Sequence, residues 1–325
     1  MSRPLAVYTD LDDLDSAAGV TLLEDAGFRV EVLETRDPDV IVDAARDATA
    51  LLVGYAPVDA NLLARLPHLG IVSMLSRGFD SVDTVAASEQ GVWVATVGDL
   101  ASAEVATHTW ALALAAVRRL VFFTRGNRAW LDRPEYPPRR LSEVTLGLVG
   151  LGRIGSGVAR LANGHVGRVL GHDRSGRDLP DGVTSATLDE IIAESDIVSI
   201  HLPLDESTTG LFDSNLLSRM RPGSWLINVS RGGIIDTDAL VAALDNGPLA
   251  GAALDVLGQE PPAADDPLAT HPKVVLTPHV AYLSDATARD YVLAQANNVI
   301  EWHRTGRPHH PVAAPVAVSS QERAK

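Results

Sequence analysis

Residues 147–155 read G-L-V-G-L-G-R-I-G, and the fold follows from this stretch. Leu146, Leu148 and Val149 form the short apolar run of a buried strand. Gly150, Gly152 and Gly155 then give G-x-G-x-x-G, with Arg153 and Ile154 inside it, and a helical pattern follows over residues 154–161. A tight turn feeding a helix N-terminus offers N–H groups and the positive dipole end to a pyrophosphate, and missing side chains let the phosphate come close. The spacing alone is not specific. It needs an acidic residue at the end of the next strand, about 20 residues on, to accept the adenosine ribose hydroxyls. Asp173 stands there, eighteen residues after Gly155 and just past the run 166–171. Its carboxylate repels a 2′-phosphate, which favours NAD. Arg174-Ser175 directly after it can meet a phosphate and keeps NADP as the lesser alternative.

On the N-terminal side, strand patterns over residues 5–8, 30–33, 51–54, 71–75 and 92–95 alternate with helical stretches near 14–26, 38–46, 61–65 and 82–90. Strand–helix alternation with short connections implies a parallel sheet covered on both faces. V-G-D at 97–99 breaks the pattern and opens a long helix over 102–120, with Asp99 or Ser102 as its N-cap. An Arg- and Pro-rich arm over 125–140 precedes the glycine stretch. Beyond it, strands are expected at 169–173, 197–200, 225–229, 251–254 and 274–276, and helices near 188–194, 214–219 and 237–245. A last helix over 285–302 is long enough to return to the first domain, and residues 307–325 read as an arm or a disordered tail. The fold class is therefore α/β in two domains. A discontinuous, flavodoxin-like substrate domain takes 1–98 and 283–325, and a Rossmann dinucleotide-binding domain takes 99–282.

Length and composition agree with this. A chain of 325 residues has room for two cores, and 46% apolar against 21% charged residues is an ordinary globular balance. The net charge of −15 carries no offsetting basic run, which argues against nucleic acid or an anionic membrane as partner. The absence of cysteine removes disulfides, thiolate metal sites and thiol catalysis together. With no signal-peptide pattern after Met1, it fits a cytoplasmic protein. The most apolar stretch, 105–123, carries His108, Arg118 and Arg119 and reads as a buried helix rather than a membrane span. Glu104 and His108 are i, i+4 on that helix and form a possible metal pair, but further ligands are missing and no metal is expected.

Further segments stand in a telling order: S-R-G-F-D-S-V-D (76–83), A-E-V-A-T-H-T (103–109), the glycine fingerprint, H-L-P-L-D-E-S-T-T-G-L (201–211), N-V-S-R-G-G-I-I-D (228–236), A-A-L-D-V-L-G-Q-E-P (252–261) and T-P-H-V-A (277–281). In this, residues 73–297 resemble the D-isomer-specific 2-hydroxyacid dehydrogenases, which include D-lactate, glycerate, phosphoglycerate, formate and phosphite dehydrogenases. The resemblance implies NAD-linked hydride transfer between a small 2-hydroxy acid and its 2-oxo acid. His279 matches the family's acid/base histidine and Glu260 the carboxylate that pairs with it and favours the imidazolium. Arg231 matches the arginine whose planar fork holds the substrate carboxylate. Taken one at a time, these residues equally fit a core histidine, a surface glutamate and a surface ion pair.

Leu202, Val229 and Ser230 match loop positions whose backbone touches the cofactor. Asp255 matches a position lining the nicotinamide, or else caps a strand end. Ser76, Arg77 and Gly78 resemble the loop whose backbone N–H groups hold the substrate carboxylate. The resemblance also implies a cleft between the domains that closes on substrate, and a homodimer formed through the helix at 102–120. Three departures bear on the substrate. Arg77 stands where the family usually has Gly or Ala, and either reaches a second anionic group on the substrate or points to solvent. Tyr282 brings a ring near the cofactor or substrate mouth, and Thr96 and Gly98 replace the frequent Asn and Pro. The other readings open from sequence are a dinucleotide-sensing scaffold similar to the C-terminal-binding-protein corepressors, and oxidation of a small oxyanion such as phosphite or formate.

Overall fold

The computed structural model describes residues 3–11, 14–124, 133–174, 176 and 178–316. Ser175, residues 125–132 of the expected arm and residues 317–325 of the expected tail lie outside the described residues. The chain divides into two compact units, Met1–Leu100 with Ser284–Lys325, and Ala101–Leu283.

The first unit opens with β1 (Leu5–Tyr8), α1 (Ala17–Asp25), β2 (Arg29–Val32), α2 (Pro38–Ala45), β3 (Ala48–Val53), α3 (Ala60–Ala64), β4 (Ile71–Met74), α4 (Thr84–Glu89) and β5 (Trp93–Ala95). Asp37, Asp59 and Asp83 cap α2, α3 and α4 by accepting first-turn N–H groups, which is why these helices start where they do. The second unit runs through α5 (Ser102–Val117), α6 (Leu120–Thr124), β6 (Thr145–Val149), α7 (Arg153–Ala162), β7 (Arg168–His172), β8 (Val183–Ser185), α8 (Leu188–Glu194), β9 (Ile197–Ile200), α9 (Ser214–Ser218), β10 (Ser224–Asn228), α10 (Thr237–Asp245), β11 (Leu249–Leu254) and β12 (Val274–Leu276). The chain then completes the first unit with α11 (Thr287–Thr305) and β13 (Pro311–Ala313).

The first sheet has the order β2-β1-β3-β4-β5-β13, the flavodoxin-like arrangement with an added edge strand. Gln295 and Asn298, fully buried on α11, donate to the carbonyls of Val53, Ser73 and Thr96 and so fasten that helix to the sheet. The second sheet is parallel throughout, in the order β8-β7-β6-β9-β10-β11-β12. Its order switches direction beside β6, and open α/β sheets bind ligands at the carboxyl ends of such a crevice. The register decides what stands there. Val149 pairs with His172 and Ile200, Ile200 with Asn228, Asn228 with Leu254, and Leu254 with Leu276. Asp173, Gly150, His201, Val229, Asp255 and Thr277 therefore leave the sheet in one row. Apart from the edge strands β8 and β13, both sheets are those expected from the alternation in sequence.

Three local expectations are corrected. Neither Asp99 nor Ser102 caps α5: its N-cap is Ala101, without a side-chain bond, and Asp99 instead takes the Arg77 guanidinium. The long helix does not run unbroken to Leu120. It ends at Val117, and Arg119 adopts φ 54° before α6 begins. Part of the expected tail is ordered as β13, which pairs antiparallel with β5. The free edge of β5 recruits it, and an edge strand tolerates Pro311.

Candidate active site

The glycine turn shows why its three glycines differ. Gly150 holds φ 97°, and a Cβ there would stand 2.4 Å from the His201 carbonyl oxygen. A Cβ on Gly155 would stand 2.1 Å from the Gly150 oxygen, so the first turn of α7 packs directly on the strand end. At Gly152 a Cβ would meet nothing within 4 Å. Gly152 is also the N-cap of α7 and offers no side chain to the helix's first amides. An open, uncapped helix N-terminus at the end of a central parallel strand fits a pyrophosphate. The Asp173 carboxylate accepts from Leu151 N at 3.0 Å, which sets it against the turn, and the Gly150 amide donates to the His172 carbonyl. Arg174 Nη2 lies 3.3 Å from Ser207 Oγ. Leu202 comes within 3.1 Å of a Cβ built on Gly150.

Further along the row, β10 delivers Val229, Ser230 and Arg231. Buried Asn228 shapes this turn, accepting from Ser230 N at 3.0 Å and donating to the Arg231 carbonyl at 2.8 Å. Ser230 Oγ donates to the Ile200 carbonyl, and Arg231 Nη1 to that of Ser230. At Gly232 a Cβ would fall 2.0 Å from Leu257 C, so the loop after β11 lies directly on this turn. That loop is closed by Glu260, whose Oε1 accepts from Leu257 N at 2.7 Å. Glu260 Oε2 lies 2.6 Å from His279 Nδ1. Burial pushes the Glu260 carboxyl up. The bond and charge of His279, the Leu257 amide and the Arg231 charge outweigh it and hold the group below its ordinary 4.5. An ionised Glu260 keeps the imidazole proton on Nδ1 and fixes the ring plane.

His279 itself sits at φ 54°, a left-handed backbone for a residue with a full side chain. Asp255 holds this segment from below. Its carbonyl accepts from His279 N at 2.8 Å, and its carboxylate accepts from Val280 N and Ala281 N, each at 3.0 Å, and from Thr277 Oγ1 at 2.5 Å. His108 on α5 completes the set, with Nε2 3.1 Å from Thr277 Oγ1 and 3.7 Å from Asp255 Oδ1. Sequence reading singles out Asp255 but not Thr277 or His108 as its partners. Sequence pairs His108 only with Glu104 one helical turn away, with no metal expected, whereas its contact with Thr277 lies 169 residues downstream. His201 also escapes notice. Its ring packs 3.4 Å from a Cβ built on Gly155, its Nε2 meets Ser199 Oγ at 3.0 Å, and burial pushes its pKa down to about 4, so the ring is neutral.

The structure thus groups Gly150, Gly152, Arg153, Ile154, Gly155, Asp173 and Leu202 at one end of the row, and Arg231, Asp255, Glu260 and His279 at the other, all in the second unit. Ser76, Arg77 and Gly78 lie in the first unit, in the loop after β4. Ser76 Oγ donates to the Gly78 carbonyl at 2.6 Å, and Val97 N to the Ser76 carbonyl at 3.1 Å.

Residues 110–281 match the D-isomer-specific 2-hydroxyacid dehydrogenase family, NAD-binding domain. The chain is 36% identical over 288 residues to a glyoxylate reductase of Aeropyrum pernix, covering 84% of this chain and 86% of that protein. Among solved structures it is similar to a D-lactate dehydrogenase of Aquifex aeolicus complexed with NAD and lactic acid, with 28% identity, a TM-score of 0.85, and 96% and 100% of the two chains covered. It is likewise similar to an NADPH-dependent glyoxylate/hydroxypyruvate reductase of Sinorhizobium meliloti, with 31% identity, a TM-score of 0.84, and 98% and 100% covered. The chain belongs to the D-isomer-specific 2-hydroxyacid dehydrogenases, a family of NAD(P)-dependent enzymes.

Proposed function

We propose that the protein interconverts a small D-2-hydroxy acid and its 2-oxo acid with NAD(H), and that Arg231, Glu260 and His279 carry the reaction. The observation behind this is the 2.6 Å contact of His279 with an ionised Glu260, beside the charge of Arg231. A bound nicotinamide dinucleotide supplies the hydride donor or acceptor. Gly150, Gly152, Arg153, Ile154 and Gly155 would hold its pyrophosphate, Asp173 its adenosine ribose, and Leu202, Val229, Ser230 and Asp255 its nicotinamide half. Arg231 binds the substrate carboxylate with its planar fork and draws charge from the adjacent carbonyl. In reduction, His279 gives the Nε2 proton to the oxygen that develops as alkoxide. In oxidation it takes that proton from the hydroxyl. Glu260 holds the ring in the productive tautomer and balances the imidazolium. Ser76, Arg77 and Gly78 are assigned to the substrate on the likeness of their loop.

The preference for NAD over NADP rests on the Asp173 carboxylate, which a 2′-phosphate would oppose, while Arg174 is turned to Ser207. The same reading makes the protein a cytoplasmic homodimer formed through α5. The test is oxidation of NADH and NADPH with a panel of glyoxylate, hydroxypyruvate, pyruvate and phosphohydroxypyruvate, and reduction of NAD⁺ with phosphite. Turnover of one or more 2-oxo acids, faster with NADH, is expected. Cofactor binding without turnover across the panel would overturn the reading in favour of a dinucleotide sensor.

A further inference from the structure

We infer that Asp99 is a specificity-determining residue: by neutralising Arg77 it directs the enzyme to 2-oxo acids carrying a single negative charge, and against those with a distal carboxylate or phosphate. The inference rests on reading the Ser76–Gly78 loop as part of the substrate site. Within that loop Arg77 would attract a second anionic group, and no other Lys or Arg lies between Arg65 and Arg118. Its guanidinium is held by Asp99, Nη1 to Oδ1 at 2.7 Å, with both side chains partly exposed.

The backbone brings the two segments together independently of the ion pair. Val97 N donates to the Ser76 carbonyl, Thr96 N to the His310 carbonyl, and Gly98 turns at φ 75° beneath the His310 ring, whose carbons lie 3.1 Å from a built Cβ. Asp99 follows directly from that fixed turn. A distal anion would compete with Asp99 for Arg77, whereas a substrate without a second anionic group does not. An exposed pair of this kind adds little stability, so its effect belongs in selectivity.

The test compares hydroxypyruvate with phosphohydroxypyruvate, which differ only in the distal phosphate. In the wild type, kcat/KM for hydroxypyruvate is expected to exceed that for phosphohydroxypyruvate by about tenfold or more, and Asp99→Asn to narrow the ratio by about tenfold, the worth of one like charge at this range. Arg77→Met is expected to widen it. A wild type that prefers phosphohydroxypyruvate overturns the inference, as does an Asp99→Asn protein with native thermal unfolding and an unchanged ratio. Should Asp99→Asn not fold, Asp99→Ser and the wild-type ratio decide. A wild type that reduces neither compound, nor any other 2-oxo acid, overturns the dehydrogenase reading itself, which separates that failure from this one.

Discussion

At the scale of single residues, the site depends on holding His279 in a conformation its backbone resists. Non-glycine residues at positive φ cost on the order of 1–3 kcal/mol and persist only when their surroundings over-determine them. Asp255 provides that by taking the amides of residues 279–281 on its carbonyl and carboxylate. Thr277→Val deletes a hydroxyl bond to this buried carboxylate. It should cost about 1.5–3 kcal/mol of stability and lower kcat by about tenfold or more through misplacement of His279, with little change in NADH affinity. Thermal unfolding and a cofactor titration beside steady-state kinetics check this, and a loss confined to cofactor affinity would refute it. Glu260 makes a second prediction. Its folded-state pKa is depressed below 4.5, so its ionised contacts contribute stability that is present above the unfolded value and lost as pH falls through the folded one. The stability gap between wild type and Glu260→Gln should hold from neutral pH to about 6 and shrink below about 4.5. The pairing of Glu260 with His279 was legible from the order of the family's motifs, which include E-P and T-P-H, and not from either residue alone. The Asp255–Thr277–His108 set was not, since only the sheet register and the packing of α5 bring it together.

At the scale of elements, the glycine turn separates folding from binding. Gly152→Ala adds a methyl group where the structure has open space, so stability should be retained while NADH affinity falls. Gly155→Ala drives a Cβ into the Gly150 carbonyl and should lose about 1–3 kcal/mol of stability as well. Denaturant unfolding paired with fluorescence titration of NADH distinguishes the two, and equal destabilisation would contradict the account. His201, at the end of β9, adds a pH dependence. Burial lowers its pKa from 6.5 to about 4, so the unfolded chain binds more protons between those values and stability falls as pH drops through that window. His201→Asn should flatten this part of the stability profile. Most strands were legible because fully buried parallel strands read as unbroken apolar runs. β8 and β13 were not, since V-T-S and P-V-A are short edge strands whose pairing is decided by a neighbour's open edge. The end of α5 escaped too, because no sequence signal marks the left-handed Arg119.

At the scale of the whole molecule, strand–helix alternation on either side of residues 97–99 carried the two-sheet architecture, and the ordered motifs carried the family. Substrate identity was not legible: the sequence shows Arg77 and Asp99 but not that they pair. The described helices include none long and apolar enough to cross a membrane. The central claim is that His279, oriented by Glu260, exchanges the proton in an NAD-linked reaction of a D-2-hydroxy acid. The most direct measurement is the rate of NAD⁺ reduction, by the wild type and by His279→Ala, with the D and L enantiomers of the chiral 2-hydroxy acid whose 2-oxo acid the wild type reduces fastest. The account predicts turnover of the D enantiomer alone, and a drop of about 10²–10⁴-fold in the variant with its fold intact. Near-wild-type turnover in His279→Ala, or oxidation of the L enantiomer at a comparable rate, would contradict it.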